Sequence, residues 1–101
     1  MFLSKQYNQL TIYHAHNLYR ESGIVHGFSS RVGGFSKAPY QGLNMGLTSG
    51  DSITDVQQNR IAFVHTLGIQ PHQVAAGFQV HGTKIAGVHA EDGGKGFLSA
   101  D

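Results

Sequence analysis

Apolar positions spaced two residues apart predict strands in three parts of the chain. The first strand contains Leu10, Ile12 and His14, the second is a short segment at residues 23–30, and the third runs over residues 74–81. After a bend near Gly82 the pattern is continued by two further apolar residues, Ile85 and Val88. We therefore expect several strands.

Apolar positions at helical spacing predict one helix between the second and third strands. Thr54 and Gln57 have the spacing of a capping box, and Gly68 stands where a left-handed C-terminal glycine belongs. The predicted buried stripe consists of Val56, Arg60, Phe63, Val64 and Leu67.

A glycine-rich stretch at residues 31–52 separates the second strand from the helix. Five glycines and Pro39 predict irregular backbone, and a loop of this length is usually functional or disordered. Apolar residues such as Leu43 and Met45 favour an anchored loop over disorder. Its glycines, with Arg31 and Arg60, are compatible with an anion site, and the alternative is a surface loop with turn glycines.

Composition narrows the range of partners. Charged residues make up 13% of the 101 residues and the net charge is +1, without a basic run, so nothing favours nucleic acid or an anionic membrane. The sequence contains neither a long apolar run that would predict a membrane span nor any cysteine for a disulfide. A surface with so few charged residues indicates that part of it is buried, either against a second copy of the chain or against a missing segment of the same chain.

Histidine is frequent, with seven residues, and two places are candidates for metal ligands. His14 and His16 share a strand face, but they have no third ligand nearby, and ordinary histidines are the alternative. His81 ends an apolar strand and precedes Gly82, and sites in α/β folds gather at strand ends. One histidine does not make a zinc site, which needs three or four ligands.

Four segments in order resemble the laccase-domain or polyphenol-oxidase-like family of the bacterial YfiH/YlmD type. They are residues 26–36 (HGFSSRVGGFS), 40–46 (YQGLNMG), 50–51 with 59–60 (GD and NR), and 79–82 (QVHG). Members of the family are described as purine nucleoside phosphorylases with adenosine deaminase activity. The resemblance covers about residues 20–101.

The resemblance implies an α/β fold, with a mixed sheet and flanking helices, of which residues 1–101 form the N-terminal part of one larger domain. It implies that His81 is a metal ligand and catalytic residue, with zinc or copper as the metal. Arg31, Asn44 and Arg60 occupy motif positions expected to shape a pocket for a purine nucleoside and phosphate. For Arg60 a structural role, bonding a loop carbonyl, is the alternative.

The family's metal site also uses a cysteine and a second histidine beyond the QVHG motif. Because this chain has no cysteine and stops at Asp101, we expect it to be an incomplete, cytoplasmic member of the family. The missing ligands would come from a C-terminal segment or from a second copy. Two alternatives stay open: a copper-dependent polyphenol oxidase, and a catalytically silent fragment that only binds a partner.

Overall fold

In the computed structural model, the described residues are 1–77, 82–85, 87–94 and 97–98. The chain divides into two compact units, Met1–Gly68 and Ile69–Asp101. The first unit contains the sheet, the glycine-rich loop and the long helix, and the described residues of the second form short elements. The combination of an antiparallel sheet with a helix is a mixed α/β architecture, as predicted.

Three antiparallel strands form the sheet of the first unit, in the order β1–β2–β3. They are β1 (Phe2–Tyr7), β2 (Leu10–Ala15) and β3 (Phe28–Ser29). β2 is central, and it buries the predicted alternating side chains, with Ile12 fully covered and His14 3% exposed. A short helix, α1 (His16–Tyr19), follows it.

The second predicted strand is much shorter than the sequence pattern indicates. Only Phe28 and Ser29 pair with β2. Further along β2, the Ala15 N–H donates to the ring Nε2 of His26 at 2.7 Å. This N–H therefore bonds a side chain instead of a backbone carbonyl of a neighbouring strand. The segment between the short helix after β2 and Phe28, residues 20–27, is therefore irregular, and Gly23 within it has φ +83°.

The predicted helix is α2 (Ile53–Thr66), but its N-cap lies before the predicted one. The Ser52 hydroxyl accepts from the Asp55 N–H at 3.4 Å, so the helix has already begun at Thr54. Gly68 follows the C-cap with φ +74°, as expected. The predicted stripe is correctly placed, since Val56 is buried and its other members are half-buried.

The core of the first unit joins the sheet to the loop. Leu10, Ile12 and Leu43 form its buried centre, and partly covered side chains pack around them, including Met45 and Phe63. The loop is irregular as predicted, apart from one bridge between Ser36 and Gly42. Burial of Leu43, at 5% exposure, anchors the middle of the loop to the sheet.

The second unit contains one parallel pair, β4 (Ala76–Gly77) with β5 (Phe97–Leu98), and two single 3-10 turns at Pro71–Gln73 and Ala90–Asp92. Of the strand predicted at residues 74–81, residues 76–77 are observed, and 78–81 lie outside the described residues. The expected continuation through Ile85 and Val88 is wrong. Both are exposed in irregular backbone beside glycines, which disfavour strands.

No helix in the described part of the chain combines the length and the apolar character needed to cross a membrane.

Candidate active site in the glycine-rich loop

The glycine-rich loop forms one side of an open cleft of about 410 Å³ beside β3. Residues 29–31, 40–41 and 43–45 line it. Two of the predicted substrate-binding residues, Arg31 and Asn44, are therefore brought together in one concave surface. Arg31 is exposed and Asn44 is half-buried, so the cleft offers a solvent-exposed cation beside a hydrogen-bonded amide.

Backbone hydrogen bonds give the loop its shape. The Leu43 N–H donates to the Arg31 carbonyl at 3.0 Å, and Ser36 and Gly42 exchange two bonds of 3.3 Å. Gly34 and Gly42 have φ of +88° and +119°, which L side chains rarely adopt. Residues far apart in the loop are thereby held side by side at the cleft.

Asn59 of α2 fixes the loop through hydrogen bonds of its side chain, a role that the sequence analysis did not predict. Its side chain is fully buried. Its Oδ1 accepts from the Phe35 N–H at 2.6 Å, while its Nδ2 donates to the Ser36 hydroxyl at 2.8 Å and to the Asn44 carbonyl at 2.7 Å. The signal in the sequence was an amide at helical spacing from Val56 and Phe63, on the face expected to be apolar.

Asp51 closes the network at the start of α2. Its Oδ2 accepts from the Ser36 hydroxyl and from the Asn44 Nδ2 at 3.1 Å, and its Oδ1 accepts from the Ser52 N–H at 2.7 Å. These bonds, that of Ser36 first, hold the pKa of the Asp51 carboxyl below its usual value because they stabilise the charged form. The carboxylate therefore accepts hydrogen bonds at neutral pH.

Arg60, the third predicted substrate residue, contacts the loop rather than lining the cleft in the described structure. Its Nε donates to the Met45 carbonyl at 2.8 Å. Met45 lines the cleft beside Asn44. Arg60 thus makes the loop-carbonyl bond that was the structural alternative for this residue.

His81, the predicted metal ligand and catalytic residue, lies outside the described residues. Among the residues that are described, no three His, Asp or Glu side chains converge as a metal site would require. The described residues by themselves therefore do not fit a bound metal. The prediction that His81 binds zinc or copper therefore stays a prediction.

The His14 and His16 pair does not form a metal site. Both ring nitrogens of His14 have protein partners, the Tyr7 hydroxyl at 2.9 Å and the His26 carbonyl at 2.8 Å. Because the carbonyl only accepts, Nδ1 of His14 carries a proton. His16 is exposed at the start of α1, whereas His14 is buried in β2.

Curated relatives of the chain are bacterial. It is 40% identical over 75 residues to a purine nucleoside phosphorylase YlmD of Geobacillus stearothermophilus, which covers 74% of this chain and 27% of the relative. It is 41% identical over 69 residues to the purine nucleoside phosphorylase SCO2081 of Streptomyces coelicolor, covering 68% and 28%. For a purine nucleoside phosphorylase of Deinococcus radiodurans the values are 37% over 78 residues, covering 77% and 29%.

The chain thus spans less than a third of the length of these relatives. No solved structure matches it significantly. A family model described as "Multi-copper polyphenol oxidoreductase laccase" matches residues 25–101, which include the cleft and α2. The chain therefore belongs to this laccase-like family.

Proposed function

We propose that the complete protein containing this chain is a purine nucleoside phosphorylase, and that the cleft beside β3 is part of its substrate site. The observation that carries the proposal is that Arg31 and Asn44, two motif positions expected to bind substrate, line the same cleft. Curated relatives named purine nucleoside phosphorylases support the reaction. Adenosine deamination is a second activity that we propose for the same site.

Phosphorolysis exchanges the purine base at ribose C1′ for a phosphate oxygen, so the site must hold an anion beside a nucleoside. The exposed guanidinium of Arg31 suits the anion, because its planar donors match phosphate oxygens. Asn44 donates from Nδ2 to Ser49 Oγ and to Asp51, and its Oδ1 accepts from the Gly46 N–H at 3.3 Å, so its remaining capacity is the second lone pair of Oδ1. We expect Asn44 to accept a hydrogen bond from a hydroxyl or amino group of the nucleoside.

Metal dependence belongs to the same proposal. His81 would be one ligand of a zinc or copper ion, and a bound metal of this kind supplies Lewis acidity. The remaining ligands would come from residues outside this chain or from a second copy. A sequence without cysteine supports a cytoplasmic location, where thiols stay reduced and disulfides are rare.

The test is phosphate-dependent release of purine base by the complete purified protein. We expect base and ribose 1-phosphate from adenosine or inosine in phosphate buffer, and no base when phosphate is replaced by another buffer. His81→Ala should abolish turnover and the bound metal measured by mass spectrometry. His65→Ala, which changes an exposed histidine of α2, is the matched control and should keep both.

A copper-dependent polyphenol oxidase is the second candidate, and the description of the matching family favours it. It predicts oxygen uptake with a phenol and copper, and no dependence on phosphate. A protein that consumes oxygen with phenols but leaves nucleosides intact contradicts the phosphorylase proposal. A protein that neither oxidises phenols nor cleaves nucleosides, and that binds no metal, would support the third hypothesis, a catalytically silent fragment that only binds a partner.

A further inference from the structure

We infer that Asn59 is a positioning residue that sets the geometry of the cleft through the carbonyl of Asn44. Its side chain is fully buried and does not line the cleft, so it acts through the residues it bonds. The catalytic part of this inference rests on the proposed function. Its structural part, that the amide of Asn59 fixes the cleft wall, does not.

The orientation of the Asn59 amide follows from its neighbours. The Phe35 N–H only donates, so the atom facing it must be oxygen, and the Asn44 carbonyl only accepts, so the atom facing it must be nitrogen. The second N–H of Asn59 then goes to the Ser36 hydroxyl, whose own hydrogen goes to Asp51. Every bond in this relay has one permitted direction.

Two successive residues of α2 hold two successive carbonyls of the cleft wall. Asn59 donates to the Asn44 carbonyl at 2.7 Å and Arg60 donates to the Met45 carbonyl at 2.8 Å. Asn44 and Met45 both line the cleft. A shift of this backbone displaces the side chain of Asn44, which is proposed to bind the nucleoside, and so weakens substrate binding in the cleft.

Only an amide satisfies this arrangement. Asn59→Asp keeps the size and still accepts from the Phe35 N–H, but it directs a second acceptor at the Asn44 carbonyl. The Asn44 carbonyl would lose its donor and be repelled. The substitution therefore tests the direction of the bonds with almost no change in packing.

The experiment compares Asn59→Asp with Gln58→Glu in the complete protein. Gln58→Glu makes the same change from amide to acid at the neighbouring, exposed position of the helix. We expect Asn59→Asp to raise the KM for nucleoside about tenfold or more, with a smaller effect on kcat, because substrate binding in the cleft is weakened. Gln58→Glu should leave both unchanged. A purely structural role would lower the folded fraction, and with it kcat, at constant KM.

Amide hydrogen exchange gives a readout independent of turnover. The Leu43 N–H, bonded to the Arg31 carbonyl, should exchange about tenfold faster or more in Asn59→Asp, while the β2 amides keep their rates. If Asn59→Asp does not fold, Ser36→Ala, which interrupts the relay, is judged by the same criteria.

A folded variant with unchanged KM and unchanged Leu43 exchange overturns the inference. If the wild-type protein converts no purine nucleoside, the proposed function fails instead, and the exchange rates alone then decide whether Asn59 positions the cleft wall.

Discussion

Replacing Gly34 by alanine should destabilise the protein because the loop passes very close to the Asn59 network at this position. Gly34 has φ +88°, and a left-handed backbone costs an L residue about 1–2 kcal/mol. A Cβ at Gly34 would also lie 2.6 Å from the Gly42 carbonyl oxygen and 2.8 Å from the Asn59 Oδ1, and both distances are shorter than the ordinary contact range of 3.4–4 Å.

The contacts at Gly34 are expensive to relieve because both oxygens already accept hydrogen bonds. The Gly42 carbonyl accepts from the Ser36 N–H and the Asn59 Oδ1 accepts from the Phe35 N–H. At about 1 kcal/mol for each bond, their loss adds about 2 kcal/mol to the backbone cost. We therefore expect a loss of about 3–4 kcal/mol for Gly34→Ala.

Gly68→Ala is the matched control, because Gly68 has φ +74° and its added Cβ would meet no described atom within 4 Å. It should cost only the backbone term of about 1–2 kcal/mol. The assay is equilibrium unfolding in denaturant, with both variants measured against the wild type. A Gly34→Ala loss no larger than that of Gly68→Ala would refute the close approach of loop and helix.

Three further predictions test other parts of the structure. Asp51→Asn should lower stability at neutral pH, as measured by thermal unfolding. Because the pKa of the Asp51 carboxyl is lowered in the folded protein, the stability difference from wild type should begin to shrink below pH 3.8, the ordinary pKa of the group. The difference should disappear as the pH falls through the lowered pKa. Arg31→Ala should raise the KM for phosphate about tenfold, while unfolding changes by less than about 0.5 kcal/mol, since only its backbone carbonyl bonds Leu43. Ile12→Val should cost about 1 kcal/mol in denaturant unfolding because Ile12 is fully buried, and no loss there would contradict the assigned core.

The elements that the sequence predicts well are those in which burial follows a simple period. β2 and α2 each bury one face, and Ile12 and Val56 lie on those faces. β1 gave no such pattern because it is an edge strand with mostly exposed side chains, such as Ser4 and Lys5, and its pairing with β2 depends on the turn between them.

The candidate site was only partly predictable because its geometry comes from long-range polar bonds. Arg31 and Asn44, which the motifs single out as candidates, line one cleft, but nothing in the spacing indicated that Asn59 bonds the cleft wall. Asn59 is 15 residues from Asn44 in sequence and 24 from Phe35. Hydrogen bonds over such separations depend on how the loop folds back, which periodicity does not describe.

A crystal structure of the complete protein with a purine nucleoside and phosphate bound tests the proposed substrate site most directly. We predict that the ligands occupy the cleft beside β3, with the nucleoside or phosphate within hydrogen-bond distance of Arg31 and Asn44, and that His81 binds a metal ion. Ligands bound elsewhere, with the cleft covered or empty and the His81 ring away from any ion, would contradict it.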